Sequence, residues 1–155
     1  MIDYQRIFHT GIRVPDLDAA MAELGESLSV TWAESREVAE MPVWTPAQGM
    51  QTVPLRYVYS CQGPQHIELL ESVPGSPWHC GDIPGVHHVG VWVDDVVAQV
   101  EAVLAKGWTV ALAAATPDEG YGNFAYVQPP NGMLVEVVND DILSMFEQWW
   151  AAGSS

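Results

Sequence analysis

The sequence predicts an α+β fold made of two tandem βαβββ modules and a short C-terminal helix. Three observations carry this. The chain repeats itself: IFHTGIRVPDLDAAMAEL, from Ile7, laid above VHHVGVWVDDVVAQVEAVL, from Val86, sets His9 on His88, Gly11 on Gly90, Val14 on Val93 and Asp16 on Asp95. Each copy opens with period-2 alternation and then turns to helical spacing. The 155 residues, 48% hydrophobic and 16% charged, are enough for one core of ordinary size. Residues 1–155 are therefore read as a single domain, with modules at 5–73 and 84–140 and a helix and tail at 141–155.

In the first module FHTGIRV alternates as a strand and meets Pro15, and Asp16 is placed to cap a helix over 17–28. Leu17, Met21, Leu24 and Leu28 form the apolar stripe of that helix. In the second, Asp94 or Asp95 caps a helix carrying Val96, Val100, Val103 and Leu104, and Gly107 ends it. Further strands are predicted near 54–61, 65–71, 108–113, 123–128 and 133–138. Pro129-Pro130-Asn131-Gly132 is the turn between the last two. A final helix over 141–151 bears Ile142, Met145, Phe146 and Trp149. HIELLES (66–72) and MLVEVVND (133–140) close the two modules and match Glu68 to Glu136. The first module is longer between its His and its Glu, and the surplus is assigned to an insertion over 38–54.

Charge excludes whole classes of partner. Twenty Asp and Glu against five Lys and Arg give a net charge of −15, and Lys106 is the only lysine. Such a surface repels nucleic acid and anionic membranes, because phosphate binding needs clustered cations. Cys61 and Cys80 are too few and too isolated for a disulfide scaffold or a thiolate zinc site. No apolar run approaches the roughly 20 residues that span a bilayer. The N-terminus MIDYQRIFHT lacks the pattern of a signal peptide. A soluble, cytoplasmic protein is expected.

Strand alternation sorts the polar residues. Val89, Val91 and Val93 share one face of their strand, opposite His88, Gly90 and Trp92. Thr10, Ile12 and Val14 oppose His9, Gly11 and Arg13, and Ile67 and Leu69 oppose His66, Glu68 and Leu70. Glu136 likewise lies opposite Val135 and Val137. His9, Glu68, His88 and Glu136 thus occupy the faces away from the helices, at matched places in the two repeats. Ionised carboxylates removed from water are costly unless paired or metal-bound. Imidazole with carboxylate suits one divalent ion of Zn, Ni, Co, Mn or Fe. His66, His79 and His87 fall outside the repeat match and are expected at the surface or behind the ligands.

The motifs FHTGIRVPDLDAAM, QHIELLES, GVHHVGVWVDDV and QPPNGMLVEVVND, spread from Phe8 to Asn139, resemble the vicinal oxygen chelate superfamily. That group includes glyoxalase I, methylmalonyl-CoA epimerase, extradiol dioxygenases and bleomycin-binding proteins. The resemblance implies a U-shaped mixed sheet around one metal and places the ligand roles on His9, Glu68, His88 and Glu136. Two His with two Glu is most similar to glyoxalase I. The epimerases commonly have Gln where this chain has Glu68, and the dioxygenases use two His and one Glu. The 38–54 stretch does not resemble glyoxalase I, and no basic cluster for clamping glutathione is visible. An epimerase also needs a further carboxylate base, for which Glu37 and Glu40 are the nearest candidates.

The expected function is a metal-dependent isomerase, epimerase or lyase that stabilises an enediolate of a small carbonyl substrate. Glu136 or Glu68 would serve as base, as the resemblance implies, within hydrogen-bond reach of the transferred proton. Substrate contacts are expected from Arg13, Trp44, Tyr57, Tyr59, Trp92 and Tyr126, and Arg13 is suited to anchor a carboxylate. Two alternatives stand beside this reading: a binding protein that sequesters an antibiotic or aromatic metabolite, and an extradiol-type dioxygenase. A homodimer is the expected assembly. The sequence leaves open whether the modules pair within one chain or exchange between two. It also leaves open whether Trp149 and Trp150 pack on a partner or on their own sheet.

Overall fold

Asp16 and Asp95 start the two main helices as the repeat predicts. Each has extended backbone, and its carboxylate accepts from the backbone N–H three residues on, at Ala19 (2.9 Å) and Ala98 (3.0 Å). Such a cap is worth about 1 kcal/mol over alanine. The computed structural model describes residues 1–153, so the last two residues of the expected 141–155 tail lie outside it. In chain order the elements are β1 (Ile7–Val14), α1 (Leu17–Leu28), β2 (Arg36–Thr45), β3 (Gly49–Tyr59) and β4 (His66–Glu71). There follow β5 (Gly85–Val93), α2 (Val96–Leu104), β6 (Thr109–Ala113), β7 (Phe124–Gln128), β8 (Leu134–Asn139) and α3 (Leu143–Gly153). Among the described residues no helix is long and apolar enough to cross a membrane.

The fold is mixed α+β with three helices, and its strands follow the closed order β1-β4-β3-β2-β6-β7-β8-β5. The sheet therefore closes into a barrel where an open U was expected. β1 runs parallel to β4 and β5 parallel to β8; β3 with β4, β6 with β7 and β7 with β8 are antiparallel. The 38–54 stretch is not an insertion of separate structure. It is most of β2 and the first half of β3, which are 10 and 11 residues long where β6 and β7 have five each. Pro42 and Pro54 mask these strands in the sequence, because proline gives no ladder donor; both are exposed.

The chain divides into two compact units. The first comprises Met1–Phe8, Pro42–Thr52 and His88–Leu143. Its core lies under α2, where Val96, Val100 and Val103 pack on Val91, Val93, Val135 and Val137. Leu104, expected in that stripe, is exposed, and the helix ends there, with Gly107 (φ +83°) making the turn beyond. The second unit comprises His9–Met41, Val53–His87 and the chain from Ser144 on. Leu17 of α1 is fully buried there against Val14, Val58 and Leu69, with Met21 and Leu24 half-buried beside it. Leu28 is exposed, and α1 stops at Ser29, whose φ of +55° is left-handed. Glu71 fixes the start of α1 by accepting from Leu17 N (3.1 Å).

Helix α3 starts two residues later than expected and turns a different face inward. Phe146, Trp149 and Trp150 are buried, whereas Met145 is 47% exposed. The three rings recur at i, i+3 and i+4, the spacing of one helical face, and the aromatic residues displace the flexible Met. The Trp149 indole N–H donates to Glu34 O (2.9 Å), and the Arg36 guanidinium lies over its ring (3.6 Å). Helix α3 thus packs on the sheet of its own chain.

Candidate metal centre

Register explains how each unit places its own His and Glu. In the second unit, β1 sets Gly11 opposite Glu68 of β4, and β3 sets Tyr59 on the other side of Glu68. Residues opposite one another across strands share a face, so Gly11, Glu68 and Tyr59 form one row. His9 lies one row away on that face, opposite His66. The bare Gly11 leaves room beside Glu68, and the His9 Nε2 comes within 3.3 Å of the Glu68 carboxylate. The His9 ring also meets Tyr59 edge-on, 5.2 Å between centroids.

The first unit repeats the arrangement. Gly90 of β5 faces Glu136 of β8, whose other neighbour is Tyr126 of β7, and His88 lies one row away. His88 Nε2 is 3.4 Å from the Glu136 carboxylate, and its ring centroid is 4.8 Å from that of Tyr126. His9 and His88 are completely buried, and Glu68 and Glu136 are 5% and 8% exposed. The four form a buried His/Glu group able to hold a metal ion. Their donor set fits one: two imidazole nitrogens and two hard carboxylates match borderline divalent cations, and two buried negative charges call for a cation.

The remaining predicted residues divide. Arg13 and Tyr57 share a row with Leu70, one step beyond Glu68 on the same face. Arg13 is half-buried, and its Nη1 donates to His79 O (3.2 Å). Trp92 occupies the matching row with Val138 and Phe124, and its ring stacks on Phe8 at 3.8 Å. Tyr59 and Tyr126 flank the two Glu residues directly. Trp44 does not join them. It pairs with Ala113 in the row of Ala125, Val137 and Val91, which faces α2, and it packs on that core and on Tyr121. The sequence could not show this, because no repeat partner fixes the register of β2. Glu37 and Glu40, the candidate extra bases, are exposed.

His66 is the residue sequence reasoning undervalued. It is 6% exposed, so the surface alternative does not hold for it. Its Nδ1 lies 2.7 Å from Ser60 O, and its ring stacks on Trp150 at 3.7 Å. Burial pushes its pKa down, the Ser60 carbonyl opposes this, and nearby His9 adds to it. The available signal was its position two residues before Glu68, on the same strand face. His79 is held by Ser72 Oγ (3.0 Å), and His87 is half-buried.

Comparison with known proteins agrees with this architecture. Residues 8–126 match the family model of the glyoxalase/bleomycin resistance protein/dioxygenase superfamily. A probable lactoylglutathione lyase of Vibrio parahaemolyticus is 27% identical over 87% of this chain and 91% of its own length. The lactoylglutathione lyase of Haemophilus influenzae is 26% identical over 87% and 93%. Among solved structures, a Streptomyces coelicolor methylmalonyl-CoA epimerase has the same fold with a TM-score of 0.59 at 22% identity, over 86% of this chain and 96% of its own. The epimerase of Mycobacterium tuberculosis gives 0.57 at 17% identity, over 90% and 92%. With the family model covering both His–Gly strands and Glu68, the chain belongs to the glyoxalase/bleomycin resistance protein/dioxygenase superfamily.

Proposed function

We propose that this protein is a metal-dependent isomerase, epimerase or lyase acting on a small carbonyl compound, with His9, Glu68, His88 and Glu136 holding one divalent ion. The observation that carries the reading is a repeated pattern: in each unit a Gly faces a Glu across parallel strands, with a buried His one row away. Burying a carboxylate costs several kcal/mol unless a partner compensates it, and evolution of a bare core has no reason to place that cost twice at equivalent positions. The lyase and epimerase relatives support the reaction class. Two tandem modules, as the repeat suggests, account for the duplication. A homodimer and a cytoplasmic location complete the reading.

A divalent ion in this site supplies the Lewis acidity that stabilises an enediolate formed next to a carbonyl. The chain's own residues do the rest. Glu136 and Glu68 are the bases, each within a hydrogen-bond distance or little more of an imidazole that orients it. Tyr59 and Tyr126 wall the two carboxylates and exclude water from them. Arg13 offers its guanidinium to a substrate carboxylate, and Tyr57 and Trp92 supply apolar contact.

The test is the metal content of untagged protein purified without chelators, read by elemental mass spectrometry. About one Zn, Ni, Co or Mn per chain, lost in His9→Ala/His88→Ala, is the expected outcome. Iron together with oxygen uptake would favour the dioxygenase. A protein that neither carries nor takes up metal would overturn the proposal and leave a binder of an antibiotic or aromatic metabolite.

A further inference from the structure

Helix α3 does more than close the chain. It covers the same sheet face that carries His9 and Glu68. Trp150 stacks on His66, the direct register neighbour of His9. Tyr59, the row partner of Glu68, is met by Phe146 at 5.5 Å, Trp149 at 5.4 Å and Trp150 at 6.1 Å. The cover is held in place at several points. Trp149 is fixed by Glu34 O and by Arg36 above its ring. At its far end the helix comes so close to the chain that a Cβ on Gly153 would meet Ala33 Cα at 2.7 Å and Cys61 Sγ at 2.8 Å. A Cβ on Gly63 would likewise meet His66 Nε2 at 2.7 Å, so the imidazole is enclosed at its edge as well as on its face. Helix α3 also lies wholly beyond residues 8–126, the part of the chain shared with the family model.

We propose that α3 is a fixed aromatic wall of the site, and that Phe146 and Trp150 restrict the substrate to a compact carbonyl compound without a peptide or nucleotide tail. This rests on the metal-site reading above and narrows its substrate class. The chemistry of the covered face agrees. The guanidiniums near it are both engaged, Arg13 at His79 O and Arg36 over the Trp149 ring, so a long polyanionic tail would meet indole and phenyl rings instead of free positive charge.

Two measurements on the full-length protein test this. The first titrates metal-loaded protein with two vicinal-oxygen probes, acetohydroxamate and a hydroxamate carried on glutathione. Wild type should bind the small probe and exclude the large one. Trp150→Ala, or the gentler Trp150→Leu if the first does not fold, should raise affinity for the large probe about tenfold or more, with a far smaller change for the small one. Equal binding of both probes by wild type, or no gain in the variant, would overturn the proposal. The second measurement needs no metal: labelling of histidines by diethyl pyrocarbonate, followed residue by residue by mass spectrometry. His66 should label far more slowly than His79 in wild type and catch up in the Trp150 variant, with His79 unchanged. If the protein takes up no metal, the reading of the site fails, and this labelling still decides the wall: His66 labelling as fast as His79 in wild type overturns it.

Discussion

In one unit Glu68 stands between Gly11 and Tyr59; in the other Glu136 stands between Gly90 and Tyr126. One row to one side, His9 faces His66, whereas His88 faces Leu134. One row to the other side are Arg13, Leu70 and Tyr57 in the first case, and Trp92, Val138 and Phe124 in the second. The central rows agree residue for residue, and in the flanking rows only the histidines, His9 and His88, match. The residues proposed to hold a metal are the ones that repeat between the units, and most of the flanking residues differ. The Glu68 flanks are polar and include a cation. The Glu136 flanks, apart from His88, are aliphatic or aromatic.

That asymmetry assigns unequal roles. Beside Glu68 the flanking rows hold His66 and Arg13, whereas the corresponding places beside Glu136 are Leu134 and Trp92. Under the proposed function, Glu136, with fewer polar neighbours to hold it as a fixed ligand, is assigned the larger share of base duty and Glu68 the smaller. Glu136→Gln should keep the fold and lower turnover by about 10²–10⁴-fold, with a smaller loss in Glu68→Gln. Steady-state kinetics and metal content of both variants, measured on whichever carbonyl substrate the protein accepts, check this. The reverse order would move the base to Glu68, and equal losses would erase the distinction.

The helix-side cores give a second comparison. Leu17 of α1 is the one fully buried side chain its helix contributes, whereas α2 contributes three valines. Leu17→Ala should cost about 2–5 kcal/mol in urea unfolding. Val100→Ala removes less surface and shares its load with two neighbours; about 2 kcal/mol is expected. A larger loss at Val100 would show that the core under α2 is the less forgiving of the two.

What was legible in the sequence follows the repeat. Asp16 as a cap, Asp95 as one of two candidate caps, the 17–28 helix, and the faces of His9, Glu68, His88 and Glu136 could all be read because each residue had a counterpart and a period. Legibility ended where the copies differ. The β2–β3 hairpin has two prolines and twice the strand length of β6–β7, so it read as an insertion, and Trp44 could not be assigned a face. Helix α3 has no counterpart at all. Its apolar residues were visible, but the choice of Trp150 over Met145 as the inward residue depends on which ring stacks on His66. That contact joins residues 84 positions apart.

The two units also share an ion-pair device, formed by arginines that are not repeat partners. Arg56 of β3 binds Asp18 in the first turn of α1 (2.7 Å) and Glu71 at the end of β4 (3.1 Å). Arg6, from the turn before β1, binds Asp94 just ahead of α2 (2.6 Å) and Asp140 just after β8 (2.7 Å). Each arginine thus links the start of a helix to the end of the strand that carries a site Glu. Asp94 and Arg56 differ in what pH can do to them. The hydrogen bond from Arg6 holds the Asp94 carboxyl below its usual 3.8, and the guanidiniums stay charged throughout. A carboxyl lowered in the folded state stabilises it above the unfolded value, and the contribution disappears as pH falls through the lowered one. Arg6→Ala should therefore lower Tm slightly at pH 7. The gap to wild type should narrow as pH drops below 3.8, and added salt should shrink it at neutral pH, since Asp94 is exposed. Melting curves of both proteins at several pH values decide the matter. A gap that stays constant across the series would mean that Arg6 acts through the packing of its aliphatic stem and not through its charge.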